Sequence, residues 1–146
     1  MQTLVLIKPD GVLRLKIGDI ISRFENKGIR IAGLKMISVS KEMAERHYAV
    51  HKGKPFYESL IKYIMSGPVV AMVLDGKDVI DITRKLVGVT NGAKAEPGTI
   101  RGDFSSSIDF NLIHASDSID SANYEIPIFF KESEIINYER VDKSWL

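Results

Sequence analysis

Residues 69–74 read Val-Val-Ala-Met-Val-Leu, a run without a polar side chain. Short apolar runs that contain β-branched residues and lie between turn signals are typical of buried strands. Ser66-Gly67-Pro68 comes before this run and Asp75-Gly76 comes after it. The sequence therefore predicts the central strand of a sheet at this place.

Amphipathic helices are predicted on either side of the central strand. Apolar residues recur at helical spacing within the stretch Phe56 to Met65, which ends at the Ser66-Gly67-Pro68 turn. The same spacing relates Val79, Ile82 and Leu86 after the strand. Each stretch offers one apolar face for packing against the sheet.

The N-terminal third of the chain shows the same alternation of strands and helices. Apolar spacing, turn residues and capping residues together define four elements there. They are a strand over Thr3 to Ile7 that ends at the Pro9-Asp10-Gly11 turn, a helix over Ile17 to Phe24 ahead of Gly28, a strand over Ile29 to Val39 with a bulge at Gly33, and a helix over Lys41 to Val50 capped by Ser40.

The C-terminal part begins with a long stretch, Gly88 to Ser107, that lacks hydrophobic periodicity and is interpreted as a loop. Loops of this length in compact domains usually carry function. A short strand is predicted over Phe110 to His114. A helix is predicted over Ser116 to Ile126, with Pro127 near its end.

The order of these elements predicts an α+β fold, an α/β sandwich in which one sheet is covered by helices. The strands fit the ferredoxin-like β-α-β-β-α-β pattern when the smaller helices are treated as insertions, which gives a four-stranded antiparallel sheet. The chain has 146 residues and neither a repeat nor a linker divides it. Residues 1–146 are therefore expected to form a single domain.

Composition and charge limit the functional classes. The chain is 45% hydrophobic and has no cysteine, so a core without disulfides is expected and thiol chemistry is excluded. The formal net charge of +1 disfavours non-specific binding to nucleic acid or membranes. The N-terminus lacks the pattern of a signal peptide, and a cytoplasmic protein is expected.

The segment Asn111-Leu112-Ile113-His114-Ala115-Ser116-Asp117 is the strongest chemical signal. A neutral imidazole is a good nucleophile near neutral pH. His114 comes just before a predicted helix N-terminus, where backbone N–H groups can stabilise a phosphate. Taken alone, the segment also fits a strand-end histidine held in the core, with Ser116 and Asp117 acting only as helix caps. That second interpretation is the more common one for an isolated histidine.

Three cations at element ends or in loops change this balance: Lys8, Arg84 and Arg101. Each one alone is typical of a solvated surface charge. Together they provide the positioning and charge stabilisation that phosphoryl transfer requires. The chain has no P-loop and no strand-linked G-x-G-x-x-G, so side chains would have to hold the phosphates.

The other histidines and aromatic residues give weaker signals. His47 and His51 are spaced i, i+4, but Tyr48 rather than a glutamate follows His47, so the metalloprotease pattern fails. With no cysteine and one further histidine, no protein-bound metal is expected. Phe56 follows Pro55 near a loop, where its ring is free to stack on a base.

The segment around His114 resembles the N-x-x-H-[GA]-S-D signature of nucleoside diphosphate kinases. The resemblance covers nearly the whole chain and is very specific as a combination. Its other parts are Ile7 to Gly11, His47-Tyr48, Pro55-Phe56, Ser66 to Met72, Gly88 with Thr90-Asn91, and Pro97 to Phe104. It implies a ferredoxin-like fold and a ping-pong reaction, in which a nucleoside triphosphate phosphorylates the histidine and a different diphosphate removes the phosphate.

The resemblance implies catalytic roles residue by residue. His114 matches the nucleophile of the family. Glu125 matches the carboxylate that positions the imidazole, with Ser116 beside it. Lys8 and Tyr48 match the groups near the transferred phosphate.

The resemblance also implies a nucleotide-binding set. Lys8 and Asn111 match contacts with the sugar. The other matches are Arg84, Thr90 and Arg101 for the phosphates, Phe56 and Ile108 for the two faces of the base, and His51 for the inner phosphate.

Cofactor and partners follow from the same resemblance. Mg²⁺ is expected to bridge the nucleotide phosphates rather than to bind protein ligands. The expected substrates are ATP as the main donor and GDP, UDP, CDP and their deoxy forms as acceptors, with no nucleic-acid or membrane partner. A homohexamer is expected, with a homotetramer as the alternative.

Two positions depart from the family pattern. Gly92 stands where many members carry a proline, in a loop used for subunit contacts, and is expected to loosen that loop. Pro127 stands where the last helix would continue, and is expected to end or kink it just after Glu125.

Two other classes of function fit the fold. One is a ferredoxin-like module that binds RNA or a small ligand. The strands here are aliphatic and the net charge is near zero, whereas RNA-binding versions present aromatic strand residues and a basic face. The other is a catalytically silent subunit, which the fully occupied set of matched catalytic positions does not favour.

Overall fold

The computed structural model describes residues 1–146. The strands are β1 (Gln2–Ile7), β2 (Arg30–Ile37), β3 (Val69–Asp75) and β4 (Ile113–Ala115). The α-helices are α1 (Pro9–Leu13), α2 (Ile17–Asn26), α3 (Lys41–His47), α4 (Tyr57–Ile64), α5 (Val79–Val87), α6 (Ile100–Phe104) and α7 (Ile119–Phe129). Short 3₁₀ turns cover Ala49–His51, Glu132–Glu134 and Lys143–Trp145.

The predicted four-stranded antiparallel sheet is confirmed. Its strand order is β2-β3-β1-β4, and every neighbouring pair is antiparallel. The central strands β1 and β3 are almost entirely buried, as expected for apolar strands covered by helices on both faces. A hydrophobic core of 32 buried residues includes members of all four strands. None of the helices has both the length and the apolar character needed to cross a membrane.

The register of the sheet places the chemical residues together. In the β1–β4 pair, Leu6 lies opposite His114 and Ile7 lies opposite Ile113. Lys8, the residue after β1, donates its backbone N–H to the carbonyl of Leu112, just before β4 begins, at 2.7 Å. The end of β1 and the start of β4 therefore lie side by side, which places Lys8 and His114 in the same region of the sheet.

The N-terminal elements agree with the sequence interpretation, apart from two corrections. The bulge predicted at Gly33 is confirmed by a register shift between Ile31 and Gly33. The Pro9-Asp10-Gly11 turn is instead the start of α1, where proline suits the first helical position because no bond to its nitrogen is needed there. The helix predicted over Lys41 to Val50 ends at His47 and gives way to a 3₁₀ turn.

The stretch Gly88 to Ser107 is not wholly a loop, because it contains the short helix α6. Thr99 caps this helix by accepting the N–H of Gly102 at 3.0 Å. Five helical residues give too little hydrophobic periodicity to detect in the sequence. The strand predicted over Phe110 to His114 is also shorter and later, because Leu112 has a positive φ of 69° that interrupts extended backbone.

The prediction that Pro127 ends or kinks the last helix after Glu125 was wrong about the end. Helix α7 begins at Ile119, after the N-cap Ser118, and continues through Pro127 to Phe129. Pro127 removes only its own hydrogen bond, and Phe130 still donates to the carbonyl of Ile126 at 2.9 Å. Burial of Ile128 and Phe129 in the core favours the continued helix.

Candidate active site

His114 is held by a carboxylate on the neighbouring helix. Its Nε2 atom lies 2.9 Å from Oε2 of Glu125, which is buried on α7. The hydroxyl of Ser116 donates to the same oxygen at 2.7 Å and itself accepts the backbone N–H of Leu4 at 3.2 Å. Because an ionised carboxylate only accepts hydrogen bonds, the imidazole proton belongs on Nε2. The lone pair of His114 therefore lies on Nδ1.

The ring of His47 packs against the imidazole of His114 and is itself flanked by two aromatic rings. The ring of His47 meets His114 edge-on, with centroids 4.6 Å apart and an interplanar angle of 88°. His47 also packs against Tyr48 at 4.6 Å and against Phe129 at 5.4 Å. Burial lowers the pKa of His47 well below its usual value, and the neighbouring His114, Lys8 and His51 lower it further. His47 is therefore a neutral ring that limits the rotation of His114.

Lys8 is a buried cation at the end of β1. Only 7% of its surface is exposed, and its ammonium donates to Oδ1 of Asn111 at 2.9 Å. Burial lowers the pKa of Lys8 from 10.5 to about 8, and the charge of Arg101 lowers it further, against an opposing effect of Asp10. The amide of Asn111 in turn donates to the carbonyl of Thr90 at 3.1 Å. The predicted site residues Lys8, Asn111 and Thr90 thus form one connected group.

Arg84 and Arg101 are anchored by backbone carbonyls. Arg101 donates to the carbonyls of Ile113 at 2.6 Å and Gly88 at 3.1 Å, while Arg84 donates to that of Ala115 at 3.1 Å. Burial lowers the pKa of Arg101 to about 10, and the charge of Arg84 contributes next, so the two guanidinium groups act on each other. Arg101 therefore remains protonated at neutral pH. Both arginines grip the strand that carries His114.

None of the three cations has an acidic partner. The ion pairs of the chain, defined by nitrogen–oxygen distances up to 4.0 Å, include neither Lys8 nor Arg84 nor Arg101. A buried charge without a counter-charge is costly, so proteins retain such groups mainly where an anion binds. The buried Lys8 and Arg101 and the half-buried Arg84 therefore make the region around His114 a candidate anion site built from side chains.

The residues predicted to bind the base lie at the surface. Phe56 is 46% exposed and Ile108 is 55% exposed. A chain of rings leads from Phe56 to the site, through His51 at 5.3 Å and then Tyr48 at 6.4 Å from His51. The hydroxyl of Tyr48 is buried and has no hydrogen-bond partner within the chain.

Two predicted residues have weaker links to the site. Thr90 contributes its carbonyl, while its side chain is exposed. His51 accepts a contact from the ammonium of Lys54, 3.2 Å from its Nδ1, and partial burial followed by the charge of Lys54 lowers its pKa. Neither side chain touches His114.

Comparison with known proteins decides the family. The family model described as nucleoside diphosphate kinase matches residues 1–135. This chain is a member of the nucleoside diphosphate kinase family. A nucleoside diphosphate kinase of Archaeoglobus fulgidus is 52% identical over 145 residues, covering 99% of this chain and 96% of the relative. One from Desulforamulus reducens is 54% identical over 145 residues, covering 99% and 97%.

Solved structures of nucleoside diphosphate kinases share the fold. The enzyme of Halobacterium salinarum in complex with CDP superposes with a TM-score of 0.97 at 44% identity, covering 99% of this chain and 97% of that one. The enzyme of Borrelia burgdorferi, a transition-state mimic with bound vanadate and ADP, gives a TM-score of 0.94 at 41% identity, covering 99% and 95%. The resemblance found in the sequence, and the fold it implied, are confirmed.

Gly92 departs from the family pattern for a reason visible in the packing. A Cβ atom at this position would lie 2.3 Å from the hydroxyl of Ser105, and the Gly92 N–H bonds the carbonyl of Ser107 at 3.1 Å. A proline would lose that hydrogen bond. In this member of the nucleoside diphosphate kinase family the loop is tied down at Gly92 by its backbone, and an effect on oligomer stability stays a prediction.

Sequence reasoning missed several residues around the kinase site. His47 was noted as half of a failed metal motif and as part of the matched segment His47-Tyr48, without a role of its own. Its contact with His114 depends on how α3 packs against α7. Asp10 accepts the N–H of Leu112 at 3.1 Å and the hydroxyl of Tyr63. In the sequence, Asp10 stood out only as a turn residue and as a member of the matched segment Ile7 to Gly11, and neither signal gave it a role at the site.

One cavity of the chain lies away from the residues around His114. It has a volume of about 730 Å³ and lies between the ends of β2 and β3 and the C-terminal segment, with Arg30, Asp75 and Arg140 in its lining. Its lining shares no residue with the site around His114.

Proposed function

We propose that this protein transfers the terminal phosphate of a nucleoside triphosphate, mainly ATP, to a nucleoside diphosphate by a ping-pong reaction through phosphorylated His114. The proposal rests above all on one observation: a histidine whose Nε2 bonds a buried glutamate borders three cations that have no acidic partner. The acceptors are GDP, UDP, CDP and their deoxy forms.

In the first half-reaction the Nδ1 lone pair of His114 forms a bond to the terminal phosphorus. The bond between that phosphorus and the bridging oxygen breaks, and the diphosphate leaves with the electron pair. The phosphorylated imidazole then carries a positive charge, which the carboxylate of Glu125 stabilises through Nε2–H. The second half-reaction is the reverse, with the terminal oxygen of another diphosphate attacking the same phosphorus.

Charge on the transferred phosphoryl group is stabilised by the surrounding cations. Lys8, Arg84 and Arg101 supply fixed positive charge that does not have to reorganise during the reaction. The hydroxyl of Tyr48 is buried, and burial followed by the charge of Glu125 raises its pKa, so it stays a neutral donor for a phosphate oxygen. Thr90 completes the phosphate set, and His51 approaches the inner phosphate.

Sugar and base are bound at the outer part of the site. Lys8 and Asn111, already linked at 2.9 Å, contact the sugar hydroxyls. Phe56 and Ile108 cover the two faces of the base, which their exposure allows. Stacking without hydrogen bonds to base edges tolerates every base, so broad acceptance of nucleotides follows.

The proposed cofactor is Mg²⁺ bound to the nucleotide, where it would neutralise part of the phosphate charge. Glu125 is engaged by His114 and Ser116, and the one side-chain cluster with metal-ligand spacing is His47, His114 and Glu125. Two imidazoles and one carboxylate do not suit Mg²⁺, which prefers oxygen ligands. This donor set supports a metal held by phosphates rather than by the chain.

The proposed assembly is a homohexamer, with a homotetramer as the alternative, built from a single domain spanning residues 1–146. Large apolar side chains at the surface of β2, Leu34 and Met36, support self-association, as do the exposed Trp145 and Leu146 of the C-terminal segment. Light scattering after size exclusion counts the subunits. A cytoplasmic location without nucleic-acid or membrane partners is part of the proposal and agrees with the net charge of +1.

The deciding experiment is a phosphoenzyme trap. The protein is mixed with terminally labelled ATP and Mg²⁺ in the absence of acceptor, and the label is tested for loss in acid, retention in alkali and location on His114. Added GDP or UDP should remove the label as triphosphate. His114→Ala should fold and remain unlabelled. A folded wild-type protein that takes up no label, or a labelled His114→Ala variant, would contradict the proposal.

A further inference from the structure

The backbone between Asn111 and His114 makes a sharp, strained turn. Leu112 has a φ of 69°, in the left-handed region that leucine rarely adopts. The N–H of Ile113 donates back to the carbonyl of Asn111 at 2.8 Å, across Leu112 alone. A hydrogen bond between residues i and i+2 around a positive φ marks the rarer type of γ-turn, which is intrinsically strained.

This γ-turn sets the geometry of the proposed site. Asn111 on one side bonds the ammonium of Lys8, and His114 on the other side bonds Glu125. In an unbroken strand, residues three apart point to opposite faces. The turn at Leu112 therefore determines how the nucleophile lies relative to the group that binds nucleotide.

Asp10 fastens the γ-turn from outside. Its Oδ2 accepts the N–H of Leu112 at 3.1 Å, while the backbone N–H of Lys8 donates to the carbonyl of Leu112 at 2.7 Å. Both polar groups of the strained residue are thus bonded to the start of α1. The other oxygen of Asp10 accepts the hydroxyl of Tyr63 on α4, so the carboxylate is itself held by a second element.

The neighbouring residues make this close approach possible. A Cβ atom at Gly11 would lie 2.8 Å from Ile7 Cγ2 and 3.2 Å from the carbonyl of Leu112. Only a residue without a side chain lets α1 approach the turn this closely. The ring of Tyr63 also lies under the ammonium of Lys8, 5.3 Å from its centroid.

We propose that Asp10 is a positioning residue of the phosphotransfer site, which holds the γ-turn at Leu112 and through it the orientation of His114 toward the bound phosphate. This inference rests on the proposed function of His114. Asp10 does not touch His114 and is not a catalytic residue. The bond to Leu112 N–H is the essential contact, and the bond to Tyr63 supports it.

The test compares Asp10→Ala with Asp10→Asn. Asparagine can still accept the Leu112 N–H through its oxygen and donate to the Tyr63 oxygen through its amide, whereas alanine can do neither. In Asp10→Ala the rate of His114 phosphorylation at saturating ATP should fall about 10–100-fold, because a small misplacement of reacting groups has effects of this size. The dissociation constant of ADP should change less than about threefold, and Asp10→Asn should recover most of the rate.

Two further variants complete the comparison. Asp19→Ala removes a surface carboxylate that pairs only with Lys16, and should leave the rate unchanged. Tyr63→Phe keeps the Asp10–Leu112 bond and should reduce the rate much less than Asp10→Ala. If Asp10→Ala does not fold, Asp10→Ser takes its place, since the shorter side chain cannot span both partners.

Three outcomes would overturn the inference. They are a wild-type phosphorylation rate in folded Asp10→Ala, an Asp10→Asn variant as slow as Asp10→Ala, and a loss confined to ADP affinity. Hydrogen exchange of the Leu112 amide separates this inference from the proposed function. Exchange should be faster in Asp10→Ala than in Asp10→Asn and wild type, whether or not His114 is phosphorylated, and unchanged protection would also overturn it.

Discussion

The Nε2 atom of His114 lies 2.9 Å from Oε2 of Glu125, and this single contact determines which nitrogen is the nucleophile in the proposed reaction. The proton stays on Nε2 because the ionised carboxylate can accept a hydrogen bond but cannot donate one. Nδ1 keeps its lone pair, and the arginines that hold β4 through its carbonyls lie nearby.

The charge of Glu125 should matter more than its shape. Glu125→Gln preserves the acceptor for Nε2–H but removes the negative charge that stabilises the phosphorylated imidazole. We expect the activation free energy of His114 phosphorylation to rise by about 1.5–3 kcal/mol, the usual contribution of a hydrogen bond to a charged group. Quench-flow with labelled ATP measures the rate. Glu58→Gln, on the exposed face of α4, is the control, and equal rates in both variants would remove Glu125 from this role.

Arg84→Ala and Arg101→Ala should each weaken stabilisation of the transition state by about 1–4 kcal/mol, as the loss of other charge-stabilising donors does. The measurement is kcat/KM for transfer from ATP to a diphosphate. Lys85→Ala, the exposed neighbour of Arg84 on α5, should behave as wild type. Arginine variants with full activity would mean that the phosphates bind elsewhere.

Lys8 should give the fold a distinctive pH dependence. Burial lowers the pKa of Lys8 from 10.5 to about 8, so between these values the unfolded chain holds a proton that the folded chain lacks. Stability contributed by this group therefore rises with pH across that window, by about 3 kcal/mol in total. Thermal unfolding of wild type and Lys8→Met from pH 7 to 10.5 checks the sign. A stability difference between the two that does not change with pH would contradict it.

Removing the ring of Phe56 should weaken nucleotide binding without favouring one base. Base–aromatic stacking contributes about 1–3 kcal/mol, so Phe56→Ala should raise KM for ADP, GDP and CDP by similar factors. Val141→Ala shortens a fully exposed apolar side chain that has no proposed role in binding or assembly, and serves as the control. A loss restricted to one base would indicate recognition of base edges instead of stacking.

Pro127→Ala should stabilise the protein. Pro127 is exposed within α7 and interrupts a helix that its buried neighbours maintain. Alanine restores a backbone hydrogen bond and should add about 1–3 kcal/mol. The unfolding temperature at fixed protein concentration measures the gain. A lower temperature, or slower phosphorylation of His114, would show that the proline shapes the backbone that positions Glu125.

Strands and helices could be predicted from the sequence where the local hydrophobic pattern agrees with the packing of the folded chain. The Val69–Leu74 run became β3, and helical spacing around Ile17 to Phe24 became α2. The failures share a cause, since tertiary contacts overrode local signals. Helix α6 is too short to show periodicity, and α7 passes through Pro127 because residues beyond it are buried.

The identities of the candidate site residues could be predicted from the sequence, but the contacts between them could not. Motif resemblance supplied His114, Glu125, Lys8 and the arginines, whereas contacts between distant elements are invisible in one sequence. The turn at Leu112 is the clearest example, because leucine gives no hint of a positive φ. Its conformation is explained by its two hydrogen-bond partners: the Lys8 N–H donates to its carbonyl, and the Asp10 carboxylate accepts its N–H.

His114 lies on a strand of the sheet, whereas the side chains proposed to contact the base lie at the surface. Both neighbours of His114 pair with β1, Ala115 with Val5 and Ile113 with Ile7, so the proposed nucleophile is held beside a strand that is buried from Thr3 to Ile7. The side chains proposed to meet the base stand at the periphery. In the proposed reaction, the geometry of phosphate transfer would therefore be the same for every nucleotide, whichever base it carries.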